Sequence, residues 1–184
     1  MIDCKRLVAL KKLTDYLQTE VTVANGYQHD LSPMDDGTPR VYRGRDDFDD
    51  DDPLPCVSLL ENMDPDRYPP SAGTGRHEHP EQLNRWVILV QGWVDDDKLN
   101  PTDPAYNLQA DVIKALARIT QGGDPRQARP ADHDTVYMLG GMLDNLVVEP
   151  GVVRPPTEQV SNKAFFWLRV TLTMPEDPND PYKL

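Results

Sequence analysis

The sequence predicts an α+β fold: a mainly antiparallel sheet flanked by two principal helices, with long polar loops. Three observations predict it. Two stretches carry apolar residues at three- and four-residue spacing, the mark of an amphipathic helix. Several shorter stretches alternate or run apolar, the mark of strands. The two helical stretches are not interleaved regularly with the strands, so the parallel winding of βαβ units is not expected.

The first helix is expected over residues 3–19, where Leu7, Leu10, Leu13 and Leu17 share a face and Lys5, Lys11, Lys12 and Asp15 lie elsewhere on the wheel. Val21 to Val23 can begin a strand, and Asn25-Gly26 is a turn signal because both residues accept positive φ. Arg40 to Arg43 is a short strand candidate, followed by an acidic run and then a strand from Cys56 to Glu61. Residues 62–84, with Pro65, Pro69, Pro70 and Pro80 and little apolar content, are expected to be a long loop. Arg85 to Val94 is the strongest strand. Trp86, Ile88 and Val90 point one way and Val87, Leu89 and Trp93 the other, which predicts a central strand covered on both faces.

Asp103-Pro104 opens the second helix, with Asp103 expected as the N-cap and Pro104 next to it. That helix should reach Thr120, with Leu108, Val112, Ile113, Leu116 and Ile119 on one stripe and Gly122-Gly123 as the stop. Residues 124–135 are expected to be polar loop. Two apolar patches, Val136 to Met142 and Leu146 to Val153, are expected to form one or two strands before Pro155-Pro156. The last strand, Lys163 to Met174, should bury Ala164, Phe166, Leu168, Val170 and Leu172 and turn Arg169, Thr171 and Thr173 the other way. A polar tail, 175–184, is expected to lie loose or docked on a neighbour.

With 184 residues the chain has the length of one domain, 1–184, and can bury a core. The apolar fraction is 38%, low for a compact domain, and the surplus polar residues gather in the loops rather than spreading through the elements. The net charge is −12, and Lys and Arg occur singly or in pairs, so the chain lacks the basic face that wraps nucleic acid. Negative charge suits meeting a basic partner or keeping DNA off a surface. No apolar run approaches the length of a membrane span, so no membrane partner is expected, and the first residues lack a signal peptide's unbroken apolar stretch. The two cysteines, Cys4 and Cys56, read as reduced and partly buried thiols in preference to a disulfide.

No residue pattern demands catalysis or a cofactor. His77-Glu78-His79 carries two metal-binding side chains but sits in a proline-rich loop without a nearby cysteine, and reads as exposed polar loop. Asp46, Asp47, Asp49, Asp50, Asp51 and Asp52 surround Phe48. The run lacks the glycine and glutamate that an EF-hand loop needs at its sixth and twelfth positions, so it reads as a solvated loop. Repeated around a symmetric assembly, it is a candidate acidic pore lining. Asp95, Asp96 and Asp97, with Lys98 beside them, are the one set that could hold Mg²⁺ for a nuclease or hydrolase; a polar turn between strand and helix is the plainer reading. Ser161 lies outside any nucleophile elbow, and Gly73-Thr-Gly75 lacks the residues of a phosphate loop. Gly140-Gly141 reads as a turn or bulge. An acidic DNA mimic fits the charge but not the extended core strands.

Short blocks in a fixed order carry a resemblance. Asn25-Gly-Tyr27 is followed by Val41-Tyr-Arg-Gly-Arg45, then Pro53-Leu-Pro55 and a strand. Next come Trp86 to Val94 ending in Gln-Gly-Trp-Val, then Asn100-Pro-Thr-Asp-Pro-Ala-Tyr106 and a helix. Last are Val153-Arg-Pro-Pro156 and Ser161, leading into the final strand. Over roughly 5–175 this order resembles the tail-terminator, or tail-completion, proteins of tailed bacteriophages. The resemblance implies a structural virion protein at the head–tail junction, made in the host cytoplasm, with no enzymatic activity and no cofactor. It implies a homohexameric ring that meets the tail-tube protein on one face and a head-completion or connector protein on the other. DNA would pass through the lumen without sequence-specific binding. Another neck or head-completion adaptor is the neighbouring alternative. Ring closure needs two unlike patches that pair head to tail. Arg40, Arg43 and Arg45 are candidates on one side and Asp95 and Asp96 on the other, with pairing of the arginines to the local aspartate run as the rival arrangement.

Overall fold

The computed structural model describes residues 2–49, 51–61, 85–121, 132–156, 163–175, 180 and 182. The chain is α+β. Helix α1 (Lys5–Glu20) is followed by a 3₁₀ turn (Val23–Asn25) and strands β1 (Val41–Arg43), β2 (Cys56–Glu61) and β3 (Arg85–Val94). Helix α2 (Asp103–Ile119), short helical turns α3 (His133–Val136) and α4 (Met138–Gly141), and strands β4 (Asn145–Val148), β5 (Val152–Arg154) and β6 (Ala164–Thr173) complete it. The strands form one sheet in the order β1-β2-β3-β6-β4, with β5 beside β4 on the same edge of β6. Only β1 and β2 run parallel; every other pair is antiparallel. The proline-rich 62–84 loop and nearly all of the 175–184 tail lie outside the described residues.

Both long helices pack on the same face of the sheet, because period-two burial in the strands meets period-3.6 burial in the helices. Leu13 and Leu17 of α1 and Leu108, Leu116 and Ile119 of α2 join Ile88, Val90, Phe166 and Leu168 in one core, each essentially sealed from solvent. Ile113 completes the α2 stripe but stays half-buried. Strand β3 is central, as its apolar content predicts, but its two faces differ. Trp86, Ile88 and Val90 are buried under the helices, whereas Val87 and Leu89 are half-buried. The expected cover on both faces is complete only under the helices; the second face is covered chiefly at one end, where Trp93 is buried with Cys56 and Phe165.

Three local expectations also change. Val21 to Val23 does not begin a strand. Val21 is buried at the end of α1, and the chain turns through Val23–Asn25 to Gly26 at φ 80. The Asn25 side-chain amide then donates to the Thr19 and Glu20 carbonyls and so caps α1, which an extended chain would not allow. Helix α2 starts one position earlier than expected, with Thr102 flanking it and Asp103 inside the first turn, where a carboxylate still favours the positive helix end. The apolar patch Val136 to Met142 is helical turn instead of strand. Met138, Leu139, Gly140 and Gly141 all carry positive φ, between 48 and 75. This left-handed turn buries Leu139, and the Lys12 ammonium donates to the Leu139 carbonyl at 3.1 Å.

Strands β4 and β5 behave as one edge interrupted by Glu149, Pro150 and Gly151. Val148 pairs with Val170 and Val152 with Trp167, so the interruption holds one more residue than the facing strand. Gly151 is wedged between α2 and β6. A Cβ there would overlap the Leu168 side chain, lie 2.5 Å from the Gln109 side-chain nitrogen and 2.9 Å from the Trp167 carbonyl oxygen. Gly151→Ala is expected to cost about 1–3 kcal/mol. A lower urea midpoint at unchanged denaturant slope is the check.

Candidate functional site

The strand register defines two ends of the sheet. The C-terminal end of β3, the starts of β2 and β6 and the close of β5 meet at one end: Cys56 pairs with Trp93, Val94 with Ala164 and Arg154 with Phe165. Two acidic segments leave from this end, the 45–55 segment that leads into β2 and the 95–102 segment that follows β3. Asp46, Asp47, Asp49, Asp51, Asp95, Asp96, Asp97 and Asp103 are all exposed there. Asp50 lies outside the described residues, and Asp52 is half-buried.

Residues 45–49 and 51–55 pack on the second face of the sheet as a strap. Its anchor is Phe48, whose ring centroid lies 4.3 Å from that of Trp93 and 5.2 Å from that of Tyr42. Leu54 packs into the same cluster beside Cys56, Phe165 and Trp167. The Arg45 guanidinium stacks on Phe48 at 4.6 Å and on Tyr42 at 5.1 Å. Arg45 also donates to the Asp47 carbonyl and pairs with the Asp52 carboxylate at 2.5 Å. The Asp52 carboxylate accepts the Asp49 backbone N–H as well, which folds the acidic run on itself. From the far side, the mostly buried Lys163 donates to the Asp49 carbonyl at 2.9 Å. Under the strap, burial and the nearby Asp52 carboxylate push the Cys56 thiol up to about 12, which keeps it protonated and unreactive while covered.

The candidate arginines divide. Arg45 is spent on Asp52 in its own chain, the local pairing that the sequence leaves open. Arg40 donates to the Asp30 carbonyl at 2.7 Å and is likewise committed. Arg43 is exposed on the edge strand β1 and makes no hydrogen bond or ion pair with another described residue. Asp95 and Asp96 are exposed and equally unpaired among the described residues. Arg43 cannot reach them within the chain. It lies level with Leu59 and Val90, and Asp95 is five residues further along β3. At about 3.4 Å per residue and about 4.8 Å per strand, the separation is roughly 17 Å along the sheet and roughly 10 Å across it.

Asp97 has a local task. Its carboxylate accepts the backbone N–H groups of Leu99 and Asn100 at 2.8 Å each, and these bonds hold the carboxyl below its usual range. Among the described residues no three His, Cys, Asp or Glu side chains converge as metal ligands, and His77 and His79 lie outside the described residues. Cys4 and Cys56 are both free, Cys4 half-buried and Cys56 buried. No described helix is long and apolar enough to cross a membrane.

Two features escape a reading of the sequence. Phe48 is one: a lone aromatic in a run of aspartates signals an anchor, but the slot it fills is built from distant strands. The polar tie between the helices is the other. Glu20, at the end of α1, accepts two bonds from Arg118 of α2 and one from the Tyr27 hydroxyl at 2.6 Å, while Arg118 also reaches Asp132 at 2.7 Å. Asp111 of α2, itself buried, accepts the Gln28 and His29 backbone N–H groups and contacts His29 Nδ1 at 2.8 Å. Burial pushes the Tyr16 and Tyr27 hydroxyls up, and the Glu20 carboxylate adds to this at both. No protein-family model matches the chain, and no curated protein is significantly similar to it in sequence.

Proposed function

We propose that this chain is a structural subunit of the head–tail junction of a tailed bacteriophage. Six copies close into a ring that caps the tail tube, ends its growth and offers the head its joining surface. DNA passes through the hole. The order of short sequence blocks from Asn25 to the final strand carries this reading, and the unmet charges of the fold support it. Arg43 on one edge and Asp95 and Asp96 at one end stand exposed, unpaired among the described residues and beyond each other's reach in one chain. Two unlike, complementary patches are what head-to-tail closure requires. The acidic strap then becomes a candidate wall of the lumen, where its charge repels DNA phosphates.

Electron microscopy of the protein mixed with tail tubes tests the reading. Ring density at one tube end and arrest of further growth are expected; bare ends and continued growth would refute it. Arg43→Glu should weaken self-association by about ten-fold or more, as reversal of a contact charge does. Combining it with Asp95→Lys and Asp96→Lys should recover assembly, as read by sedimentation velocity.

A further inference from the structure

We propose that the 97–106 segment is a preformed hook by which one copy docks on the next: Leu99 and Tyr106 seat on the half-covered second face of a neighbouring copy, along Val87 and Leu89. Leu99 is 88% exposed, more than any other large apolar side chain among the described residues, and Tyr106 is 56% exposed. Single apolar side chains on a surface are ordinary. This pair differs in how its backbone is held. The Asp97 carboxylate accepts the Leu99 and Asn100 N–H groups, the Asn100 carbonyl accepts the Asp103 N–H at 3.0 Å, and the Thr102 carbonyl accepts the Tyr106 N–H at 3.0 Å. Every one of these bonds is local, so the segment keeps its shape without a partner, and docking costs little ordering entropy. Neither side chain joins a described apolar cluster, so burial of the pair is left to a partner.

The face that fits is on the same chain. By strand alternation Arg85, Val87 and Leu89 lie on the second face, opposite Trp86 and Ile88. Val87 and Leu89 are half-buried and belong to neither described apolar cluster, whereas Trp93 and Phe165, at the other end of that face, are packed with Phe48 and Leu54 of the strap. Charge is matched: exposed Asp95 and Asp96 precede the hook, and exposed Arg85 and Arg43 border the face. Spacing is matched too. Asp96 and Leu99 are three residues apart, at most about 11 Å. Arg43 pairs with Leu59 and Leu59 with Val90, so Arg43 lies two strands and one residue from Leu89, about 10 Å away. Within one chain the hook leaves β3 at its far end and stays in water. Naming a second copy as the partner rests on the head-to-tail ring, in which Arg43 of one copy meets Asp95 and Asp96 of the next.

Two readouts test the hook in the full chain. Leu99→Ser is compared with the wild type by sedimentation velocity. Self-association is expected to weaken about ten-fold or more, the loss of one leucine's burial at the contact. The urea midpoint should not move, because residue 99 is exposed in the fold. For the second readout, p-benzoylphenylalanine in place of Leu99 is photoactivated in a mixture of unlabelled and isotope-labelled copies, and the crosslinked peptides are mapped. Crosslinks from position 99 of one copy to residues 85–91 of another are expected. Assembly of Leu99→Ser at wild-type strength would overturn the hook and leave the ring standing, as would crosslinks that are absent or confined to other segments. A wild-type chain that stays monomeric at every concentration would overturn both.

Discussion

Phe166→Ala is expected to destabilise the fold by about 3–5 kcal/mol. Phe166 is completely buried in the middle layer of the core, on the strand that holds the most neighbours: β6 pairs with β3, β4 and β5. Its ring fills the space left by Gly92, its direct cross-strand partner. A Cβ on Gly92 would overlap the Phe166 ring, so the pair is a single packing unit: one residue gives up its side chain so that the other can lie flat across it. Gly92→Ala should itself cost about 1–3 kcal/mol by forcing the ring aside. The two costs should not add, because Gly92→Ala in the Phe166→Ala background has no ring to displace. A double-mutant cycle in urea is the check, and a coupling near zero would show that the ring does not depend on the glycine.

Glu20→Ala is expected to cost about 3–5 kcal/mol, the range for breaking a buried ion pair on one side. The Glu20 side chain is 8% exposed and accepts three bonds from two donors, the Arg118 Nη1 bridging both its oxygens and the Tyr27 hydroxyl. Its removal strands a guanidinium and a hydroxyl between α1 and α2. Arg118 is 31% exposed and keeps Asp132, so water and that carboxylate recover part of the loss, which places the expectation at the lower end of the range. Glu20→Gln should lose less, because the amide oxygen still accepts one bond. The raised hydroxyls of Tyr16 and Tyr27 add a linked result. Groups that hold their protons more tightly when folded lend stability that is complete at neutral pH, with the hydroxyls neutral in both states. It is lost only as pH climbs through the ordinary tyrosine range and beyond, so alkaline unfolding is expected above about pH 10.

The sheet and both long helices were legible because their burial is periodic. The alternation Ala164, Phe166, Leu168, Val170, Leu172 is sealed residue for residue, and the leucines Leu13 and Leu17 mark the buried stripe of α1. Reading failed where backbone chemistry overrode that pattern. The patch Val136 to Met142 is as apolar as a strand, but Gly140-Gly141 lets the chain take a left-handed turn, and periodicity carries no sign of that. Val21 to Val23 has strand-forming residues, yet capping of α1 by Asn25 turns the chain away. For the candidate site, the acidic character of both segments was plain. What could not be read was the division of labour among the arginines, since Arg40, Arg43 and Arg45 are near neighbours in sequence. Whether each is committed or free is fixed by Asp30 and Asp52, which the fold brings to two of them.

The proposed ring rests on head-to-tail association of copies of this chain through unlike charged patches. Native mass spectrometry of the purified protein at low salt tests it most directly. A dominant species of six times 20.8 kDa, about 125 kDa, is expected. This species should be lost in Arg43→Glu and recovered when Asp95→Lys and Asp96→Lys are added. A 20.8 kDa monomer at every concentration, in the wild type as in the variants, would contradict it.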